Sequence, residues 1–427
     1  MKYFFKFLLI ITFAIASNES KANSLYDSLN SAFLKNPKLN AERANMRASR
    51  EEKRESVSEF LPSVTISGYT SEQENTNPGD DTNFRPSEQS MTIEQKIFQG
   101  GAGIANFKKK KYGQNIGELK VKKIEQEILL EAAKAHTDLL LNTKKVNINL
   151  MNVDLLERQV ETDQNRLEKG EINLTDLAQS ESSLAGATAE LIVAQNDLVT
   201  SRANFEKIIG IKSPKNVKDP KENNLPLPKS LAEAYRISNS ENPDLQISLF
   251  EFKQSKQDVI LAASELSPSA TLSYKIAEQD DFSSTIKDRT QQTMKATATW
   301  PLFKGGGNIF NLRKVKELKN QKELLLQDRK KTIETEVANA WSSYQSSSSV
   351  LDSIKSQVKA AEIANEGITL EYESGSSRTT LEVIQSRSIL LNSRINLATS
   401  ERNFLISQFD LLSAIGRLTS GHLNLKQ

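Results

Sequence analysis

Hydrophobic residues recur at every seventh position in two tracts of this chain: Leu177, Leu184, Leu191, Leu198 and Phe205, and again Val383, Leu390, Leu397, Phe404 and Leu411. A repeat of seven is a heptad seam, so each tract predicts a helix, over about Thr175–Ile209 and Thr380–Ile415, lying against a close antiparallel neighbour. Three places after each seam residue runs a second series, Ser180, Ala187, Ala194, Ser201 and Ile208 in one tract and Ser386, Ser393, Ser400, Ser407 and Ala414 in the other. The remaining faces are polar. Such rods suit staves around water better than a solid bundle, with an ordinary extended coiled coil as the alternative.

Elsewhere the period is two. Val64, Ile66 and Gly68 alternate with Thr65, Ser67 and Tyr69, and Met91 and Ile93 with Thr92 and Glu94. Later, Ala270, Leu272, Tyr274 and Ile276 alternate with polar positions, as do Met294, Ala296, Ala298 and Trp300. Alternation predicts strands, paired as two hairpins whose polar loops are Thr76–Pro86 and Gln279–Thr290. Ahead of each hairpin, Ser24 with Asp27 and Ser230 with Glu233 form capping boxes that open helices expected to reach Ser58 and Ser264, short of Pro62 and Pro268. After the glycines at 100–103 and 305–307, helical patterns run unbroken from about Ile104 to Glu168 and Ile309 to Glu373. Each is a rod of about 95 Å, and Gly170 and Gly375 end them.

These elements are the same set twice. Ser24–Phe60 parallels Ser230–Leu266 at an offset of 206, Phe98-x-Gly100-Gly101 parallels Phe303-x-Gly305-Gly306 at 205, and Ile209-Gly210 parallels Ile415-Gly416 at 206. A period near 200 makes each copy a multi-element half of one protomer, not a solenoid repeat. The organisation read from this is a first repeat over 23–210, a linker over 211–229, a second repeat over 230–416 and a tail over 417–427. In each half the first and third helices together match the second in length, so two short rods lie end to end beside a long one. The linker then falls near mid-height. The fold class is mainly α with a small β part: an internally duplicated protomer of long antiparallel coiled-coil helices with four strands.

Four strands are too few to close a barrel and would leave two open edges, so closure has to come from other copies. Strands of this length with alternating polarity, flanked by Phe98, Trp300 and Phe303, match the dimensions of an outer-membrane barrel. A soluble four-stranded cap on a coiled coil is the alternative.

Composition narrows this further. Residues 1–22, with Lys2, Lys6, the apolar run Phe7–Ala16 and small residues after it, read as a secretory signal peptide, too short in its apolar part to span a bilayer. Cysteine is absent, which excludes disulfides, thiolate metal sites and a cysteine nucleophile. A net charge of +2 with both signs interspersed offers no nucleic-acid stripe. Only His136 and His422 could serve a histidine site, and they are read as structural or solvent-facing. Gly305-Gly306-Gly307 lacks the Lys-Ser or Lys-Thr of a phosphate loop; with Gly100 and Gly101, Gly305 and Gly306 are read as strand-to-helix swivels. Neither an enzyme nor a cofactor is indicated.

With its duplication, helix lengths, Phe-x-Gly-Gly after each hairpin and Ile-Gly at the end of each half, the chain resembles the TolC family of outer-membrane efflux and type I secretion channels. The resemblance implies a homotrimer with a twelve-stranded transmembrane β-barrel in outer-membrane lipid and an α-barrel tunnel reaching through the periplasm. It implies as partners a periplasmic adaptor protein and an inner-membrane transporter, either an ABC or a proton-driven pump. It also implies a periplasmic gate, here at Thr175, Asp176, Tyr372, Arg378 and Glu382, with Arg378 paired to a carboxylate such as Asp176 of a neighbouring hairpin. One residue is added between Gly375 and Arg378, and Gln385 stands where the family has a second acidic ring. The turns at Gly170 and Gly375 resemble the tips on which adaptors dock. The competing reading is a periplasmic structural coiled coil or adaptor. Without the resemblance, Arg378 and Glu382 are an i, i+4 pair on a wet helix face.

Overall fold

The computed structural model describes residues 24–425 apart from 78–79, 215–216, 220–224, 284–285 and 375–377. The expected signal peptide, Gly375 and part of the linker lie outside the described residues. Ser24 caps helix α1 (Leu25–Lys35), accepting from the Asp27 N–H at 3.2 Å. The single helix expected over 24–58 is in fact two, because the chain breaks at Asn36 and resumes as α2 (Pro37–Glu55) before a 3-10 turn at Ser56–Phe60. Proline forbids α geometry at the residue before it, and Asn36 sits at φ −64°, ψ 123°. Its side-chain oxygen caps the new helix, accepting from the N–H groups of Lys38 (2.9 Å) and Leu39 (3.4 Å), while Pro37 occupies the first helical position, where no N–H is needed. The second half repeats the break between α5 (Leu231–Glu241) and α6 (Pro243–Ser264) at Asn242, φ −66°, ψ 121°.

The strands form one antiparallel sheet in the order β1-β4-β5-β6, from β1 (Ser63–Thr70), β4 (Ser87–Gln99), β5 (Ser269–Asp280) and β6 (Asp288–Thr299). The first hairpin loop holds an unexpected ribbon, β2 (Gln73–Asn77) paired with β3 (Asp80–Phe84). Its residues are almost all polar, so no apolar alternation announced it. Register sorts the main sheet by polarity. Ile66 lies beside Met91 and Met91 beside Ile276, while Ser67 lies beside Ser90 and Glu88 beside Gln279. The apolar face is the open one, with Ile66 81% and Met294 73% exposed, whereas Glu88 and Ser90 on the polar face are buried. A water-soluble sheet would do the reverse; apolar outside and polar inside is the polarity of a membrane barrel wall. A bulge between Lys96 and Phe98 carries the register so that Phe98 pairs with Ala270. β1 and β6 are left as edges.

At each swivel two glycines adopt left-handed geometry, Gly100 and Gly101 at φ 60° and 86°, Gly305 and Gly306 at 62° and 79°. The chain turns there from strand into α3 (Ala102–Glu168) and α7 (Gly307–Glu373), 67 residues each and so about 100 Å long. α4 (Leu174–Ile209) and α8 (Thr380–Ala414) return along their far halves, and α1–α2 and α5–α6 line the near halves. The splice between short rods is made by side chains: Asn36 Nδ2 donates to the Ile208 carbonyl (3.2 Å) and Asn242 Nδ2 to that of Ala414 (2.9 Å). The main core sits around these splices, where Leu29, Leu129, Phe205, Ile237, Val337, Phe409 and Leu412 meet at mid-length of the rods. Beyond it the heptad seams take over. Along the middle of α4 the small members go deepest: Ser180, Ala187, Ala194 and Ser201 are buried, while Leu184, Leu191 and Leu198 are half-buried at the flanks. Small side chains at the line of closest approach let the rods lie close. No described helix is long and apolar enough to cross a membrane.

Candidate functional site

The helical ends farthest from the sheet are the α3–α4 and α7–α8 turns, and the sequence-nominated gate residues gather there in two different settings. Asp176 is the third residue of α4 and closes a capping box with Asn173: its N–H donates to Asn173 Oδ1 (3.0 Å), and its carboxylate receives the Asn173 N–H (3.4 Å). Glu382 does the same for Thr379 at the start of α8, accepting the Thr379 N–H at 2.8 Å. That backbone bond, then Arg378, holds the Glu382 carboxyl below its ordinary range. Both carboxylates thus satisfy free N–H groups at the positive end of a helix. Arg378 is clamped within its own turn between Glu371 (2.6 Å) and Glu382 (3.0 Å). Within the chain, Arg378 and Asp176 form no ion pair; Thr175 and Gln385 are exposed. Gly170, at φ 75°, makes the first turn.

Tyr372 is placed differently. It is buried, and its hydroxyl lies 3.2 Å from Asp163 Oδ1 on α3 and 3.1 Å from Thr380 Oγ1. Asp163 is fully buried, a position a carboxylate holds only when its lone pairs are filled. Three donors fill them: Tyr372 Oη, Ser180 Oγ (2.5 Å) and Gln159 Nε2 (2.9 Å). Two cations stand by. The Arg166 guanidinium lies over the Tyr372 ring at 4.8 Å from its centre, and Arg387 donates to Gln159 Oε1 at 3.2 Å. Burial pushes the Tyr372 hydroxyl above its usual range, so it stays a neutral donor at physiological pH. Asp163, Gln159 and Ser180 belong to the α3–α4 pair, and Tyr372, Thr380 and Arg387 to the α7–α8 pair. The cluster therefore ties one coiled coil to the other.

Of the nominated residues only Tyr372 enters this cluster; Asp163, Gln159, Arg166, Ser180, Thr380 and Arg387 were not singled out as site residues. A signal existed. Asn149, Leu156 and Asp163 are seven apart on α3, as are Leu351, Val358, Asn365 and Tyr372 on α7. A charge and a phenol on the two seams are out of place in an apolar stripe, and each explains the other.

The comparisons with known proteins agree with this architecture. The profile of the family described as Outer membrane efflux protein matches residues 28–211 and 234–417, one match per half. Among curated proteins, the chain is 24% identical over 407 residues to outer membrane efflux protein BepC of Brucella suis biovar 1 (strain 1330), covering 95% of this chain and 88% of that one. It is 21% identical over 437 residues to outer membrane protein TolC of Escherichia coli (strain K12), covering 99% and 88%. Among solved structures, the Campylobacter jejuni CmeC outer membrane channel superposes with a TM-score of 0.84 at 15% identity over 94% of this chain and 87% of that one. The open state of the Neisseria gonorrhoeae MtrE channel gives 0.79 at 16% identity over 93% and 90%. The chain belongs to the outer membrane efflux protein family and is an outer-membrane efflux channel of a tripartite system. Family membership points to a non-enzymatic role and implies a trimer working with the other components of the pump.

Proposed function

We propose that this family member is a passive exit duct shut at its periplasmic end by the Asp163–Tyr372 latch, and opened when a partner pulls the two coiled coils of a protomer apart. The observation that carries this reading is Asp163 itself, a fully buried carboxylate whose bonds to Tyr372 span the two helix pairs. Separating the pairs takes the Tyr372 hydroxyl from that charge and leaves it only Ser180 and Gln159, which favours the closed arrangement until another protein supplies the work. The turn at Gly170 offers a surface a periplasmic adaptor would grip, and the sequence around Gly375 nominates its counterpart on the second hairpin. An inner-membrane transporter, ABC or proton-driven, would supply the energy. Thr175, Asp176, Arg378, Glu382 and Gln385 form the rim of the entrance, and in the trimer Arg378 can exchange its intrachain carboxylates for Asp176 of the next copy.

Single-channel conductance in planar bilayers tests the latch. Tyr372→Phe keeps the ring and the Arg166 contact but removes the hydroxyl, and is expected to lengthen open dwell times about tenfold, the equivalent of one hydrogen bond to a charged group. Arg378→Ala should have the smaller effect. Unchanged currents in Tyr372→Phe, with Arg378→Ala opening the channel, would return the gate to the rim.

A further inference from the structure

The long rods carry opposite charge at their two ends. The first twenty residues of α3 hold five lysines, four of them consecutive at Lys108–Lys111, against the single Glu118. Those of α7 hold Arg313, Lys314, Lys316, Lys319 and Lys322 against two glutamates. The last twenty reverse this, with five acids to two arginines on α3 and four acids to two lysines on α7. A helix dipole favours acid at the start and base at the end, and like charges three apart, as at Lys108 and Lys111, weaken a helix. The helices themselves gain nothing from this basic band beside the sheet.

Within the band, packing sorts the charges. Lys109 and Lys110 lie toward the flanks of α3, where Asp258 of α6 (2.6 Å) and Glu52 of α2 (2.9 Å) pair with them. Lys108 and Lys111 are exposed, with no ion-pair partner among the described residues, and so are Arg313 and Lys316 at the offset of 205 on α7. The face they occupy is the outer one. α2, α3, α6 and α7 touch in that order as one layer of staves. Lys108, Lys122 and His136 fall fourteen apart on a single face of α3, as do Lys111 and Glu125 beside them. At mid-length that face is covered by α5, the tail and α1, through Lys122 with the Glu241 carbonyl, Glu125 with the Ser420 N–H and His136 with Ser28. Such bulk would plug a duct, so it lies outside. Because α3 has a wall neighbour on each side, its outer face stays open in the trimer.

We propose that Lys108, Lys111, Arg313 and Lys316 bind the anionic phospholipid headgroups of the leaflet from which the rods emerge. The surface is separate from the entrance, and nothing in it depends on how the latch opens. It continues the lipid-facing side of the sheet, where Trp300, Phe303 and Phe310 form an exposed aromatic rim. Lys108 and Arg313 stand six residues into their helices, about 9 Å from that rim. A headgroup layer is about 5–8 Å deep. Side chains lean toward the N-terminus of a helix, here toward the lipid, and long basic stems extend further along apolar surface while their charges stay in water. A zwitterionic headgroup brings no net charge to such a band; an anionic one does. Binding there holds the swivel glycines level with the bilayer surface.

Trp300 reports on this rim, since the only other tryptophan, Trp341, is packed against the core about 50 Å along α7. The full-length protein is reconstituted in phosphatidylcholine vesicles containing either brominated phosphatidylglycerol or brominated phosphatidylcholine, and quenching of Trp300 fluorescence is measured. The anionic lipid is expected to quench as though enriched about fivefold at the rim, the worth of one basic residue at an anionic surface. About 1 M salt should abolish the excess, because the charges are exposed. The combined variant Lys108→Gln, Lys111→Gln, Arg313→Gln and Lys316→Gln should lose the preference while both lipids still quench. Lys330→Gln with Lys331→Gln, which removes two exposed charges about 35 Å from the swivel, should keep it. Equal quenching by the two lipids in the wild-type protein, at low salt, overturns the proposal. So does a preference that survives the combined variant, or one that vanishes in the Lys330–Lys331 control, where net charge alone would account for it. The salt measurement needs no variant, so a preference indifferent to salt is decisive against the proposal even if the combined variant fails to assemble.

Discussion

The two halves reach the same joint at mid-length and finish it in different ways. In the first, α4 ends at Gly210, φ 76°, where an added Cβ would meet only the Lys35 Cβ at 3.5 Å, and the chain runs on into the linker. In the second, α8 ends near Gly416, φ 85°, where an added Cβ would collide with the Glu241 carbonyl and the Asn242 Cα. Next to it Arg417 grips Glu241 through two bonds of 2.6 and 3.0 Å, a pair whose first-half counterparts are Ile211 and Lys35. The tail is held further by Tyr26 Oη donating to the Asn424 carbonyl at 2.7 Å. The cores of the joints differ too. Ser28 Oγ and His136 Nδ1 lie 2.8 Å apart in the first, and Ala234 and Trp341 stand in their place in the second. A duplicated fold can thus keep its rods and specialise its joints, leaving one to pass the chain on and making the other fasten its end.

The sharpest way to break this contrast is at the glycines. Gly416→Ala combines a disfavoured φ with a backbone collision and should cost about 3 kcal/mol, against about 1 for Gly210→Ala, where only φ is wrong. Thermal unfolding of the detergent-solubilised protein followed by circular dichroism measures both; equal losses would mean the second joint is no tighter.

Next in size is the response to acid. Burial, partly offset by the Lys218 backbone, lowers the His136 pKa from 6.5 to about 4. Between those values the unfolded chain takes up a proton that the folded one refuses, so stability present above pH 6.5 is lost as pH falls toward 4, by up to about 3 kcal/mol. His136→Leu should flatten that limb of the melting-temperature profile, while Trp341→Leu lowers the whole curve without changing its slope.

The smallest effect belongs to Glu241. Hydrogen bonds from Arg417 hold its carboxyl below the usual range, so the stabilisation it supplies exists above ordinary carboxylate pKa values and disappears as pH drops through its lowered one. Glu241→Gln should cost about 1 kcal/mol at pH 7 and progressively less as the pH falls through the lowered pKa. A pH-independent loss would show that the pair acts by shape alone.

What could be read in advance was whatever follows from a repeating environment. Leu177 to Phe205 meet the same neighbour every two turns, and Leu272 to Ile276 face the same surroundings at every second residue, so rods and strands declared themselves. Asn36-Pro37 was legible as a landmark of the duplication, yet its meaning as a helix break depended on weighing one residue's geometry against a long helical pattern. The β2–β3 ribbon gave no apolar signal at all. The candidate site was legible only in part, because Asp176 and Glu382 have local reasons to be acidic as helix caps. Asp163 has none, and its partners are up to 209 residues away.

The splices at Asn36 and Asn242 have a mechanical meaning. α3 and α7 are continuous, so torque applied at the entrance travels along an unbroken backbone toward the sheet. α4 and α8 abut α1–α2 and α5–α6 through side-chain hydrogen bonds and core packing, and no peptide linkage carries twist across those junctions. In every pair, then, one member is a rigid shaft and the other a jointed one. Opening as proposed above would turn the lower segments at these joints, once the Asp163–Tyr372 contact is released, without breaking the pairing of the sheet.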